Sequence, residues 1–252
     1  MEIKRWWQFL IVMTEKEIRV KYKMTVLGFV WAFLNPVLQM LVLGFVFNFF
    51  VPVKVDNYFI FLFAGLLPWN FVSMTIMRST TIIVNERSLI QKSKFPKEVL
   101  VLSVVLANLI HLLISEGILL LIMILMGQSR LSWLGLPLVM VPLILFVSGM
   151  SLLLAGINVR YRDINFAVQI VVPLWFYLTP VIYTLDLLPR KLTYWFILNP
   201  MSGIINLFRW FSLGLVSKLE GWDWSSLVLS IIIMAVGWYI FKRCSNYFNE
   251  WV

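Results

Sequence analysis

The chain has 252 residues, 61% of them hydrophobic and only 13% charged, with a formal net charge of +9 and a single cysteine. A soluble globule is nearer half apolar and a quarter charged, so a water-soluble fold is excluded and lipid must solvate much of the surface. The basic balance then marks a cytoplasmic face and anionic lipid rather than nucleic acid. The lone Cys244 excludes an intramolecular disulfide and any cysteine-based metal or redox motif.

The first segment, residues 1–24, reads as a helix with two unlike sides. Ile3, Trp6, Trp7, Leu10, Ile11 and Ile18 fall together at 100° per residue, opposite Lys4, Arg5, Gln8, Glu15, Lys16, Arg19 and Lys23. This predicts an amphipathic helix lying at the membrane interface, with its tryptophans at headgroup depth. Val12, Glu17 and Lys21 break the pattern. A small-residue cleavage site and a clean apolar signal core are both missing, so the mature chain is expected to begin at Met1.

Six apolar windows follow, at about 26–50, 58–83, 98–126, 136–158, 164–184 and 225–243, each near the length that spans a bilayer. With the N-terminus inside, the cytoplasmic segments collect Lys4, Arg5, Lys16, Arg19, Lys21, Lys23, Arg87, Lys92, Lys94, Lys97, Arg160, Arg162, Lys242 and Arg243. The other side holds only Lys54, Arg130, Arg190, Lys191 and Lys218, so both termini are expected in the cytoplasm. A seventh apolar stretch, 190–216, would reverse that parity if it crossed, and Asn199-Pro200 interrupts it. Proline ends one helix and asparagine caps the next. The stretch therefore reads as two short helices that dip in from the outer side and return. The expected fold is all-α: one polytopic membrane domain over 1–252, with six spans, an interface helix and a re-entrant hairpin.

Between the second and third spans lies the charged island NERSLIQKSKFPKE, longer than a turn requires. Asn85 is placed to cap a short helix, Glu86 suits its first turn, Arg87 and Ser88 follow, and Leu89 and Ile90 supply an apolar face. A second cytoplasmic turn, Arg160-Tyr161-Arg162-Asp163, is either a positive-inside anchor with Asp163 as helix cap or a second contact for a partner.

Ionisable groups inside spans are few. Arg78 lies near a cytoplasmic end and can reach the interface with its long stem. Glu116 sits deeper, and Arg78 is about 18 Å away along the membrane normal at 1.5 Å per residue. Arg209 on the re-entrant hairpin is at a suitable depth, so Glu116 and Arg209 are expected to pair; the alternative is that Glu116 is protonated or bonded to a neighbouring hydroxyl. His111 shares a helical stripe with Asn108 and Ser115 and reads as a helix–helix hydrogen bond rather than a metal ligand. The twelve acidic residues form no H-x-x-x-D or D-x-D cluster. This disfavours an integral membrane glycosyl- or acyltransferase, and an ion-driven carrier lacks its intramembrane acids and inverted repeats.

Residues 20–40, VKYKMTVLGFVWAFLNPVLQM, then become specific. Tyr22, Lys23, Thr25, Leu27, Gly28, Trp31, Leu34 and Pro36 match a first-span pattern. FAGLLPWNF at 63–71, LIQKSKFPKEVL at 89–100, VRYRDI at 159–164, LTPVIY at 178–183 and ILNPMSGIINLFR at 197–209 follow in order. In these motifs the chain resembles the membrane subunit of type-2 ABC exporters of polysaccharide, the permeases for O-antigen, capsule and teichoic acid.

The resemblance implies a homodimer of six-span subunits in the bacterial inner membrane, bound to two copies of a cytoplasmic ABC ATPase. The cargo implied is a lipid-linked polysaccharide, O-antigen before capsule or teichoic acid, with small lipids or drugs as the rival within the class. It also makes 85–97 a coupling helix, carried by Asn85, Glu86, Arg87, Ser88, Leu89 and Ile90, with Arg160, Tyr161, Arg162 and Asp163 as a second contact. The chain itself has no G-x-x-x-x-G-K-[ST] loop, so any MgATP must be bound by that partner, and no cofactor or metal is expected here. A conduit for sugar wants flat amphipathic rings that stack on pyranose faces; Trp31, Trp69, Trp175, Tyr177, Tyr183, Tyr194 and Phe208 are the candidates for lining or gating it.

Overall fold

The computed structural model describes residues 2–23, 28, 30–50, 57–93, 95–184, 196, 198–214 and 221–248. Nine α-helices are described: α1 (Glu2–Tyr22), α2 (Val30–Phe50), α3 (Tyr58–Asn85), α4 (Arg87–Lys92) and α5 (Glu98–Leu125), then α6 (Leu136–Arg160), α7 (Asp163–Tyr177), α8 (Pro200–Leu213) and α9 (Ser225–Ser245). Short 3-10 turns precede α6 and α9. No strand occurs among the described residues, so the all-α reading stands.

By length and composition, α3, α5, α6 with its leading turn, and α9 can each cross a bilayer. The other two expected spans differ. α2 is mainly apolar but carries Asn35 and Gln39, and it has Pro36 inside it. α7 stops at Tyr177, well short of 184, and its 15 residues cover about 22 Å where the hydrocarbon core needs about 30 Å. Thr179-Pro180-Val181-Ile182 continues the path as irregular but buried backbone. Pro173 inside α7 and Pro180 beyond it make a regular helix costly there.

α3 is the central post. Eighteen of its 28 residues are buried, and it meets α2, α5, α6, α7 and α8. Phe61, Leu62, Leu66, Phe146, Ile204 and Phe208 belong to the larger apolar core around it. A smaller core closes the end where α3, α6 and α9 finish and α5 begins: Met13, Ile82, Ile90, Val101, Leu152 and Phe241 meet there. The same end is clasped by Lys242 on Glu98 and by Lys97, whose ammonium donates to the Ser245 carbonyl (2.9 Å). Partial burial holds the Lys97 ammonium below the usual lysine pKa, with Glu98 pulling it upward.

The Asn199-Pro200 break is where the sequence puts it. Asn199 Oδ1 accepts from the Met201 N–H (3.1 Å), and Pro200 takes the first helical position of α8. At its other end Gly214, with φ of 64°, caps the helix and donates its N–H to the Trp210 carbonyl (3.0 Å). α8 is buried along most of its length against α3, α6 and α9. Most of the first arm of the expected hairpin, 190–195 and 197, lies outside the described residues.

Candidate functional site

The closed end carries the expected coupling segment. Asn85 does not cap it: Asn85 is the last residue of α3, and its amide donates to Thr81 Oγ1 (3.2 Å). α4 begins at Arg87 without a side-chain cap. Glu86 is the joint between the two helices, and its carboxylate takes the Lys16 ammonium of α1 (2.6 Å). Ile90 is buried in the smaller core and Leu89 packs at its edge, so the apolar face of α4 docks on its own protein. The face left outward is Arg87, Ser88, Gln91 and Lys92.

Arg160, Tyr161, Arg162 and Asp163 are all exposed at the same end, with the Arg160 guanidinium 5.2 Å from the centre of the Tyr161 ring. Asp163 is the first residue of α7 rather than its cap, and there its charge still suits the helix N-terminus. Asn158 does the capping work from the last turn of α6, its Oδ1 accepting from the Asn165 N–H (3.1 Å).

α1 docks along α3 and α5 by a different face from the one that amphipathicity selects. Met13, Thr14 and Glu17 are buried, whereas Trp7, Ile11, Val12 and Val20 remain exposed. Glu17 receives two bonds from the Arg78 guanidinium (2.9 and 3.2 Å). Lys21 donates to Asn108 Oδ1 (3.2 Å). Glu17 and Lys21, two of the three residues that spoil the helical pattern, therefore help fasten the helix to the bundle.

Toward the other end, the expected Glu116–Arg209 pair is not made. Glu116 accepts from Ser212 Oγ (2.9 Å), one turn beyond Arg209 on α8, so it does tie α5 to α8, through a hydroxyl. Arg209 is only 4% exposed and spends its donors on backbone: Phe61 O (3.2 Å), Pro180 O (2.7 Å) and Val181 O. Its guanidinium also sits 3.6 Å from the centre of the Phe61 ring. Gly65 makes room for it, since a Cβ there would collide with the guanidinium. Tyr58 donates to Ile182 O (2.7 Å), and Asn199 donates to Thr179 Oγ1 (2.9 Å). Irregular backbone at membrane depth survives only when protein groups satisfy it, and Arg209 with Tyr58 does that for 180–182.

The aromatic candidates separate into groups. Trp69 meets Trp175 edge-on (5.5 Å between centres) and Phe176 (5.6 Å); Phe176 meets Tyr177 (5.2 Å). Tyr183 joins this group by donating to the Tyr177 carbonyl (2.9 Å). Phe208 is wholly buried in the main core, Trp31 is exposed on α2, and Tyr194 lies outside the described residues. Beside the aromatic group runs a lateral groove of about 560 Å3 between α2, α3 and α7, bordered by Trp69, Phe176 and Tyr177. Its polar edge is an amide chain that sequence reasoning missed: Asn70 donates to Gln39 Oε1 (3.0 Å), and Gln39 to Asn35 Oδ1 (3.3 Å). Asn35 and Gln39 stand one turn apart, and that spacing was the available signal. Among the described residues no group of His, Cys, Asp and Glu could hold a metal ion.

Residues 8–212 match the model of the family described as ABC-2 type transporter. The chain belongs to that family. An O-antigen export system permease protein, RfbA, of Klebsiella pneumoniae is 29% identical over 245 residues, 96% of this chain and 93% of the relative. A protein of the same name from Myxococcus xanthus is 32% identical over 215 residues, 82% of this chain and 81% of the relative. The chain is thus a membrane subunit of an ABC-2 type transporter.

Proposed function

We propose that this subunit exports a lipid-linked polysaccharide of the O-antigen class from the cytoplasm across the bacterial inner membrane. Two copies face each other, with both termini in the cytoplasm, and two copies of a separate ABC ATPase bind MgATP and drive them. The α8 region is read as the inner arm of a re-entrant hairpin entering from the outer side.

The lateral groove is the observation that carries this reading. The flanking faces of α2 and α7 are apolar and exposed, with Leu38, Val42, Phe45, Ile170 and Leu174 uncovered within one chain. A second copy seated there would turn an open groove into a closed conduit. Its wall would combine stacking rings with the amides of Gln39 and Asn70. Such a wall offers sugar many weak contacts and no tight one, which suits a polymer that must keep moving. The relatives' names support the cargo class.

The ATPase contact is assigned to Arg87, Ser88, Gln91 and Lys92, with Arg160–Asp163 beside them. Paired reversal Arg87→Glu and Lys92→Glu tests it. Surface glycan is expected to fall at least about tenfold, the factor that corresponds to about 1.4 kcal/mol, while membrane insertion and dimer formation persist. Unchanged export by this variant would overturn the assignment. ATP hydrolysis by the purified complex that ignores lipid-linked glycan would overturn the function.

A further inference from the structure

The lateral groove is neutral. α2 contributes Leu38 and Gln39 to its wall, α3 contributes Trp69, Asn70 and Ser73, and α7 contributes Tyr177; no charged side chain lines it among the described residues. Trp69 and Met77, which bound it along α3, stand sixteen and eight residues before Asn85, about 24 and 12 Å of helical rise. The groove therefore lies across the middle of a hydrocarbon core about 30 Å thick. Ionisable side chains within the spans are committed elsewhere: Arg78 to Glu17, Glu116 to the Ser212 hydroxyl, and Arg209 to backbone carbonyls. An ion entering the groove meets no counter-charge from the described residues, and an unpaired ion at that depth is costly.

The polar edge of the groove discriminates in the same direction. Asn70 donates one amide hydrogen to Gln39 Oε1, and Gln39 donates one to Asn35 Oδ1. A carboxamide has two N–H donors and an acceptor oxygen. Gln39 and Asn70 thus each keep an N–H in reserve, and Asn70 Oδ1 accepts no bond from the described residues. Spare donors and a spare acceptor lie side by side, and a sugar hydroxyl, itself donor and acceptor, can use both. An ionised carboxylate or phosphodiester only accepts. It would face the Asn70 oxygen as a like partner and lose its hydration without full replacement.

We propose that this groove is a charge filter, which passes glycan with uncharged repeats and rejects glycan that carries a carboxylate or phosphodiester in each repeat. Gln39 and Asn70 act in it as neutral hydrogen-bond partners, at a depth where charge is penalised. A second copy seated across the groove would add the same neutral side chains, because a two-fold interface uses one surface twice. The proposal rests on the exporter reading and names the substrate class within it.

The test uses the full-length chain with its ATPase in proteoliposomes. The probe is a short mannan on polyprenyl diphosphate, labelled at its free end with nitrobenzoxadiazole. It is supplied neutral, after oxidation of its primary hydroxyls to carboxylates, and after methyl esterification of those carboxylates. The diphosphate of the carrier is common to all these forms. Transport is read as ATP-dependent protection of the label from external dithionite. The oxidised glycan is expected to move at least about tenfold more slowly than the neutral one, as a charge carried through mid-membrane requires, and the ester is expected to recover the neutral rate. Ser73→Lys adds a cation to the groove wall and is expected to close most of the gap. Equal rates for oxidised and neutral glycan would overturn the filter and leave the exporter reading standing. An ester as slow as the acid would also overturn it, because bulk rather than charge would then decide. An unchanged gap in a monodisperse Ser73→Lys complex would overturn the assignment to this groove. Protection of none of the forms, with ATP hydrolysis intact, would overturn the exporter reading itself.

Discussion

Two seams hold this bundle together by opposite means. Where α6 meets α9, Gly149 and Gly237 bring the two backbones into direct contact; a Cβ at Gly149 would come within 2.6 Å of the Ile233 carbonyl oxygen. Small residues permit this approach, and in lipid such packing is a principal source of helix association. Where α1 meets α3 and α5, the joint is made of ion pairs and amides around an open cavity. The first seam is dry and close, so a small displacement forfeits much of its dispersion energy. The second has room, and its polar groups can exchange partners. The difference makes α6 with α9 the close-packed frame and α1 a helix held to the bundle chiefly by polar side chains. Lys16 holds Glu86, and Met13 and Ile90 share the smaller core, so α1 and α4 are joined.

This contrast can be broken at graded cost. Gly237→Val should do most damage, because even the first added carbon overlaps the Gly149 backbone; a loss of about 3 kcal/mol, the upper end for overpacking, is expected in reversible unfolding in mixed detergent micelles. Arg78→Leu leaves the Glu17 carboxylate, 6% exposed, without its guanidinium. Breaking buried pairs costs about 3–5 kcal/mol, but the Arg78 side chain is 38% exposed, so solvent screening reduces this to about 2 kcal/mol. The Glu17→Leu, Arg78→Leu double variant should recover part of that loss, and a double variant less stable than the single would contradict the charged seam. Lys16→Ala removes a pair whose lysine is 41% exposed; less than about 1 kcal/mol should be lost. ATPase stimulation by cargo should fall nonetheless, since α1 and α4 would no longer move together.

The sequence showed what depends on residue type and concealed what depends on backbone. Composition and apolar windows announced the membrane fold, and Asn199-Pro200 announced the start of α8, because caps and prolines are local chemistry. Amphipathicity located α1 but reported its lipid-facing side, and Glu17 and Lys21 looked like noise for that reason. Ile90 looked available to a partner because a periodic pattern cannot say which protein covers an apolar face. Arg209 was matched to the nearest carboxylate at its depth, yet its acceptors are carbonyls, which every residue possesses and no sequence pattern displays. Of the two readings of Glu116, the bond to a hydroxyl is the one made, and its partner Ser212 lies on the same helix as Arg209.

The bonds of Arg209 also impose an order on biosynthesis. The carbonyls of Pro180 and Val181 leave the ribosome nearly thirty residues before the guanidinium that satisfies them. Until then, the end of α7 carries bare polar backbone that hydrocarbon rejects. The α7 segment must therefore wait at the translocon or the interface until α8 is made, and the two then enter the bilayer as one unit. An otherwise intact chain cut short before Arg209 would stall at that step.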